Sequence, residues 1–277
     1  MDQELAKREK YSGQSLINSR KLLTLILLGV IFFSFNQIPL HEDLLNPSGM
    51  KALDMFFSGL FSIDVSRQFL GLVINATIIT IAFAVCGLSL ALILGVPLGI
   101  LASGSLNSRR YTRYLYIVFF RGALAVFRSI HELVWAWFFV AAFGLSPLSG
   151  ILALGINYAG ILGRITSELL QDLPDAPINN LYSNGASNGQ ILIYGRLPLI
   201  FPDLLSYIFY RFECAIRSAA ILSFVGIAGI GMQIELALDD LLFGRVWTLL
   251  AVLALLILAV DLWSSICLLY TSDSADE

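Results

Sequence analysis

The chain has 277 residues, of which 57% are hydrophobic and only 13% charged, with a formal net charge of -3. A soluble domain carries roughly 25% charged residues, so this composition excludes a soluble enzyme, a nucleic-acid-binding module and a disordered chain. The three cysteines, Cys86, Cys214 and Cys267, are too few for a disulfide scaffold and lie in apolar surroundings, which leaves an all-α polytopic membrane protein.

Taken in chain order, residues 1–21 form a basic N-terminal segment with Lys7, Arg8, Lys10, Arg20 and Lys21. A transmembrane helix needs about 20 mostly apolar residues, and 22–38 is the first candidate, read as a retained anchor because no small-x-small cleavage pattern follows it. Residues 39–68 carry Glu42, Asp43, Asp54 and Asp64 and read as an external segment. Phe69 to Leu101 is a second span, too long for one perpendicular helix, so it tilts or begins outside the lipid. Gly95, Pro97 and Gly99 near its end allow a kink and close helix contact.

A polar turn with Arg109, Arg110 and Arg113 follows. A third span over 114–143 is interrupted by Arg121, Arg128, His131 and Glu132. Pro147 separates it from a fourth span over about 148–162. Residues 163–202 form the one long polar stretch inside the apolar region. A fifth span covers about 204–225, a glycine-rich and then acidic connection covers 226–245, and a sixth span covers 246–266. The expectation is thus about six helices.

Basic residues favour the cytoplasmic side. Placing the N-terminus inside puts the N-terminal cluster, Arg109, Arg110, Arg113, Arg164 and Arg196 inside, and leaves Lys51, Arg67 and Arg245 outside. Both termini and the 163–202 stretch then face the cytoplasm.

Most catalytic chemistry is missing. The lysines follow Ala6, Glu9, Arg20 and Met50, so none sits in a phosphate-binding loop of the Gly-x-x-x-x-Gly-Lys type, and no ATP site or other cofactor is expected. The two histidines, His41 and His131, have no Cys or carboxylate cluster at metal-ligand spacing, so no metal is expected. Gly87-Leu88-Ser89 resembles half of a nucleophile motif, and an intramembrane serine hydrolase would pair Ser89 with His131; a serine packed against a neighbouring helix is the plainer reading. A secondary transporter would show inverted repeats, and none is apparent.

The 163–202 stretch contains Asn179-Asn180-Leu181, then Gly185-Ala186-Ser187, then Gly195-Arg196-Leu197-Pro198. It reads as a short helix, a glycine break that permits a left-handed or closely approached backbone, a second short amphipathic piece, and a Leu197-Pro198 stop. Such an elbow suits docking into a groove of another protein. The spacing from Gly185 to Leu197-Pro198 resembles the cytoplasmic coupling motif of ABC-importer permeases, with Asn179-Asn180-Leu181 standing where that motif has Glu-Ala-Ala and Gly195 where it has Ile. Arg128 to Ala136, Phe139 to Leu145, Tyr210 to Glu213 with Arg217, Val225 to Gly231, Arg245 to Leu250, and Asp261 with Ser264 are similar to segments of phosphonate-transporter permeases. Together these runs cover roughly residues 70–266.

The resemblance implies a type I ABC-importer permease (MetI-like) fold in a bacterial inner membrane, with a permease core over 69–266. It implies as partners an ABC ATP-binding subunit, a second permease subunit in a homodimer and a periplasmic substrate-binding protein, with ATP hydrolysed by the partner. The cargo would be phosphonate or a related phosphorus oxyanion, the alternative being another small solute such as an amino acid. Gly185, Ala186, Ser187, Leu197 and Pro198 would couple to the ATPase. Arg128, His131, Glu132, Arg211, Glu213, Arg217, Gly226, Gly229 and Gly231 are candidates for a translocation path or gate. Against this stand structural roles: Arg128 pairing with Glu132 and Arg217 with Glu213 at helical spacing, and glycines serving close packing. Residues 267–277, acidic and without Lys or Arg, depart from the basic ends typical of those permeases and read as an atypical tail of foreign origin.

Overall fold

The computed structural model describes residues 20–37, 47–106 and 110–273; the N-terminal cluster Lys7, Arg8 and Lys10, Arg109, and the end of the tail lie outside them. The chain divides into two units, residues 1–55 and 56–277. In the first, residues 20–36 form helix α1, whose side chains are exposed along its length. α1 is somewhat shorter than the roughly 20 residues that cross a bilayer. Helix α2 runs Pro47–Ser58.

The second unit holds the long helices α3 (Arg67–Ser103), α4 (Arg110–Ser129), α5 (Glu132–Phe143) and α6 (Pro147–Gln171). Then come α7 (Asp175–Ser183), the single turn α8 (Asn188–Gln190), α9 (Leu197–Leu222), α10 (Ile230–Asp239) and α11 (Phe243–Asp273). Among the described residues there is no strand. Four helices there are long and apolar enough to cross a membrane, or five when α4 and α5, bent by 87°, count as one broken span.

Packing centres on α3 against α6. The buried side of α3 recurs every three or four residues through Val73, Ala76, Thr80, Ala84, Gly87, Ala91, Gly95, Gly99 and Ala102, the spacing of one helix face. Lipid tails give no hydrophobic drive to bring helices together, so small residues that let backbones touch supply the contact. A Cβ added at Gly95 would stand 2.8 Å from the Ala159 carbonyl oxygen, and one at Gly163 would stand 2.8 Å from that of Gly95. One at Gly99 would overlap the Gly163 carbonyl. α4 reaches the same helix at Gly160, where a Cβ would meet the Arg128 amide nitrogen at 2.8 Å.

Three boundaries differ from the sequence reading. α6 continues past Leu162 to Gln171 because Leu162, Thr166 and Leu170 keep its buried stripe, while Arg164 and Glu168 pair at 2.6 Å along the other side. Leu197-Pro198 does not stop a helix. A π-helical turn over Ile191–Arg196 leads directly into α9, and Pro198 sits just after that turn, in the first turn of α9. The wider i→i+5 spacing is a local break of the α-helical hydrogen-bond pattern at the place where proline would otherwise interrupt it.

The 226–245 connection contains α10, whose Ile230, Ile234 and Ala237 are buried against Phe69, Val73, Val246 and Leu249. Its first amides are satisfied by side chains outside it: Ile230 N–H donates to Thr80 Oγ1 of α3 at 3.0 Å and Gly231 N–H to Ser223 Oγ, in the turn after α9, at 2.9 Å.

The start of α11 is tied to the segment before α3. Trp247 Nε1 donates to the Phe56 carbonyl at 2.7 Å and Thr248 Oγ1 to the Asp64 carbonyl at 3.0 Å. Arg245 pairs with Asp64 at 2.9 Å. The Ser66 backbone amide, and after it Arg245, hold the Asp64 carboxyl below the usual carboxylate value.

Gly99→Val should lower the thermal midpoint of the detergent-solubilised chain, with a loss of about 1–3 kcal/mol for overpacking. Gly71→Ala, where an added Cβ meets nothing, should leave the midpoint unchanged. Equal midpoints for the two variants would show that the seam is not tight.

Candidate functional site

Two regions carry the residues singled out from sequence: a polar network at the α4–α5 break, and the elbow from α7 to α9.

The break arises at Ile130-His131, where the backbone leaves helical geometry. His131 is extended and caps α5, its Nδ1 accepting the Leu133 amide. Carbonyls freed at such a break must find donors, because lipid offers none. Asn157 of α6, 4% exposed, donates to the Ile130 carbonyl at 2.6 Å, and Trp135 Nε1 donates to that of Phe127 at 3.2 Å. Glu132 therefore starts α5 pointing at α9, where Ser218 Oγ donates to its carboxylate at 2.8 Å. The Tyr158 hydroxyl lies 3.1 Å from the same Ser218 oxygen. Three helices thus share one hydrogen-bonded chain through Glu132, Ser218 and Tyr158.

Arg211 lies beside it on α9. Its Nε and Nη2 donate to the Tyr207 hydroxyl at 3.0 and 2.8 Å, and its guanidinium stands 5.6 Å from the Tyr158 and Tyr210 ring centres. Cation–π contact stabilises a desolvated guanidinium, so Arg211 is held by three tyrosines rather than by an acid. Arg217 and Glu213 form the i,i+4 pair foreseen from their spacing, at 2.6 Å.

Arg128 and Glu132 do not pair. The 87° bend between α4 and α5 removes the common helix face that the spacing assumed. Instead Arg128 lines a cavity between α4 and α6. Ser89 is exposed on α3 and makes no hydrogen bond to His131 among the described residues, so the structure assembles no serine–histidine couple.

Of the external glycines, Gly226 has φ +88° and caps the turn after α9 in the left-handed region. Gly229 and Gly231 sit where an added Cβ would strike Ser223 or the Ala220 carbonyl. All three therefore serve the tight α9–α10 turn directly.

In the elbow, Gly185 has φ +81° and ends α7, while an added Cβ there would meet nothing. Backbone conformation, not crowding, selects glycine at this position. Ala186 follows, and Ser187 then opens α8 with a capping box, its Oγ accepting the Gln190 amide and Gln190 Oε1 accepting the Ser187 amide at 2.9 Å. Gly195 lets α7 approach, since its Cβ would lie 2.7 Å from Leu181 Cδ1. Leu197 packs against a small core of Leu170, Leu192 and Ile200. Tyr194 and Ile193 remain 77% and 57% exposed, next to a depression of about 370 Å³ lined by Leu181, Gly185, Ala186 and Gln190 among others.

Asn157, Tyr158, Tyr207 and Ser218 were not singled out from sequence. Their one signal is that polar side chains interrupt otherwise apolar spans.

A sequence profile described as binding-protein-dependent transport system inner membrane component matches residues 95–267. HtxC of Stutzerimonas stutzeri, provisionally named a phosphite transport system permease, is 31% identical over 214 residues, 77% of this chain and 74% of HtxC. The phosphite transport system permease protein PtxC of the same species is 29% identical over 195 residues, 70% of this chain and 69% of PtxC. In three dimensions, a chain of the MetNI methionine ABC transporter in an inward-facing conformation superposes with a TM-score of 0.64. The match covers 75% of this chain and 99% of that one, at 16% identity, a likeness of fold.

Ser218→Ala removes the hydroxyl shared by Glu132 and Tyr158. It should cost about 1–3 kcal/mol, the penalty for a buried polar group left without its partner, read as a lower thermal midpoint of the purified chain. An unchanged midpoint would show that the network is not structural.

Proposed function

The chain belongs to the family of inner membrane components of binding-protein-dependent transport systems, and from that premise we propose that it carries phosphonate or a related phosphorus oxyanion across a bacterial inner membrane in an ATP-driven importer. The observation that carries the substrate is the likeness to permeases named for phosphite, joined to a basic lining of the cavity between α4 and α6. Arg128 has no acidic partner among the described residues and faces a cavity with Arg121 and Arg164. Charged residues at membrane depth face a bundle interior or an aqueous path, and an anion gains from meeting them there.

In this reading two copies of the chain form the membrane part, with both termini and the elbow on the cytoplasmic side. A periplasmic binding protein delivers the solute. An ABC ATP-binding subunit hydrolyses ATP, since this sequence has no phosphate loop. The elbow seats on that subunit through exposed Tyr194 and Ile193, with Gly185, Ala186 and Ser187 fixing its angle. Leu197 and Pro198 join it to α9, so a push on the elbow travels along a continuous helix toward Arg211 and Ser218. The α4–α5 break, with Arg128, His131 and Glu132, and the Gly226–Gly231 turn flank the path. The region before α3 contributes an N-terminal anchor and a periplasmic segment, and residues 267–277 lie outside the transport core.

Proteoliposomes holding this chain, its ATP-binding subunit and the binding protein should take up radiolabelled methylphosphonate, and uptake should stop without ATP or without the binding protein. Uptake of amino acids in its place would keep the permease and discard the substrate. Gly185→Val places a β-branched residue at φ +81°, which costs on the order of 1–2 kcal/mol or more. It should reduce co-purification of the ATP-binding subunit. Undiminished co-purification and coupled ATP hydrolysis would refute the docking role.

A further inference from the structure

We propose that the cavity between α4 and α6 is a built binding site for a tetrahedral phosphorus oxyanion, held by Arg121, Arg128, Arg164 and Ser167. The cavity measures about 380 Å³, within the range of pockets that hold small ligands. Three arginines and one glutamate, Glu168, line it. Glu168 is committed to Arg164 at 2.6 Å, and Arg121 spends one nitrogen on the neutral Gln171 amide oxygen at 2.7 Å. Arg128 has neither an acid nor a hydrogen-bond acceptor among the described residues. The lining is therefore positive by two charges, three arginines less one glutamate.

A second observation comes from Ser167. It is 1% exposed and lines the cavity, and its Oγ has no hydrogen-bond partner. Serine hydroxyls in helices commonly turn back to a carbonyl one turn earlier, as Thr166 does to Leu162 one residue away. A buried hydroxyl without a partner beside the Arg128 guanidinium is a donor that a bound oxyanion would satisfy.

Guanidinium forks match tetrahedral oxyanions with paired hydrogen bonds, and the serine adds one more donor. Space is provided by Gly122, where an added Cβ would meet nothing within 4 Å. Arg121 also lines a neighbouring cavity of about 320 Å³ with Arg113, Asp175 and Arg196, so the positive lining continues toward the elbow.

The same chemistry is offered by a free solute anion and by the phosphate of an anionic lipid headgroup. The choice of phosphonate as probe rests on the transport reading above; the positive cavity does not.

The full chain in nanodiscs of phosphatidylcholine, titrated with methylphosphonate by calorimetry, should bind saturably. Arg128→Gln should weaken binding roughly tenfold, as for loss of a charged hydrogen bond. Gly122→Leu, which fills the cavity without removing charge, should abolish binding, and Lys51→Gln should leave it unchanged. In discs containing phosphatidylglycerol, native mass spectrometry reports retained lipid. A silent titration with phosphatidylglycerol retained by the wild type, and lost in both cavity variants, assigns the site to a headgroup. No binding of either, or binding unaffected by Arg128→Gln and Gly122→Leu, overturns the site. Cavity binding without phosphonate uptake by the assembled transporter would sink the transport reading alone; uptake without cavity binding would sink the site alone.

Discussion

Close backbone contact between α3 and α6 is the constraint on which the rest of the second unit depends. Water cannot drive these helices together inside a bilayer, so contact has to come from surfaces that fit. Gly95 and Gly99 against Ala159 and Gly163 supply such a surface, and α6 becomes the post on which other elements are hung. α4 leans on it at Gly160, α5 is placed by Asn157, and α9 is joined to it through Tyr158 and Ser218. α10 is fixed to α3 by Thr80.

Polar groups in this frame divide by whether the fold itself satisfies them. Glu132, Glu213, Arg211, Arg217 and Asn157 each have a partner from the chain. Such satisfied groups order the helices, since a buried polar group without a partner is costly. Arg128 and Ser167 are not used in this way. The distinction separates residues whose polar groups hold helices together from two, Arg128 on α4 and Ser167 on α6, whose polar groups no other helix satisfies among the described residues.

The elbow was legible because its chemistry is local. A left-handed residue at 185 requires glycine whatever surrounds it, and the Ser187–Gln190 capping box spans three residues. Spans α3 and α11 were equally legible, since long apolar runs declare themselves. What the sequence hid was non-local. The π turn over Ile191–Arg196 absorbed a proline that reads as a stop. α10 reads as a glycine-rich connection because its first amide is capped by Thr80 of α3, 150 positions away in the chain. The Arg128–Glu132 pair failed because a broken helix does not keep its i,i+4 register across an 87° bend.

By itself the sequence determined that this is an all-helical membrane protein with a stand-off elbow and charges inside its spans, because composition, apolar run length and glycine conformation act over short distances. Tertiary structure alone decided which charges are spent and which stay open. Satisfaction of a buried polar group is settled by whichever atom another helix brings within about 3 Å, and Ser218 reaching Glu132 across 86 positions of chain leaves no trace in residue spacing.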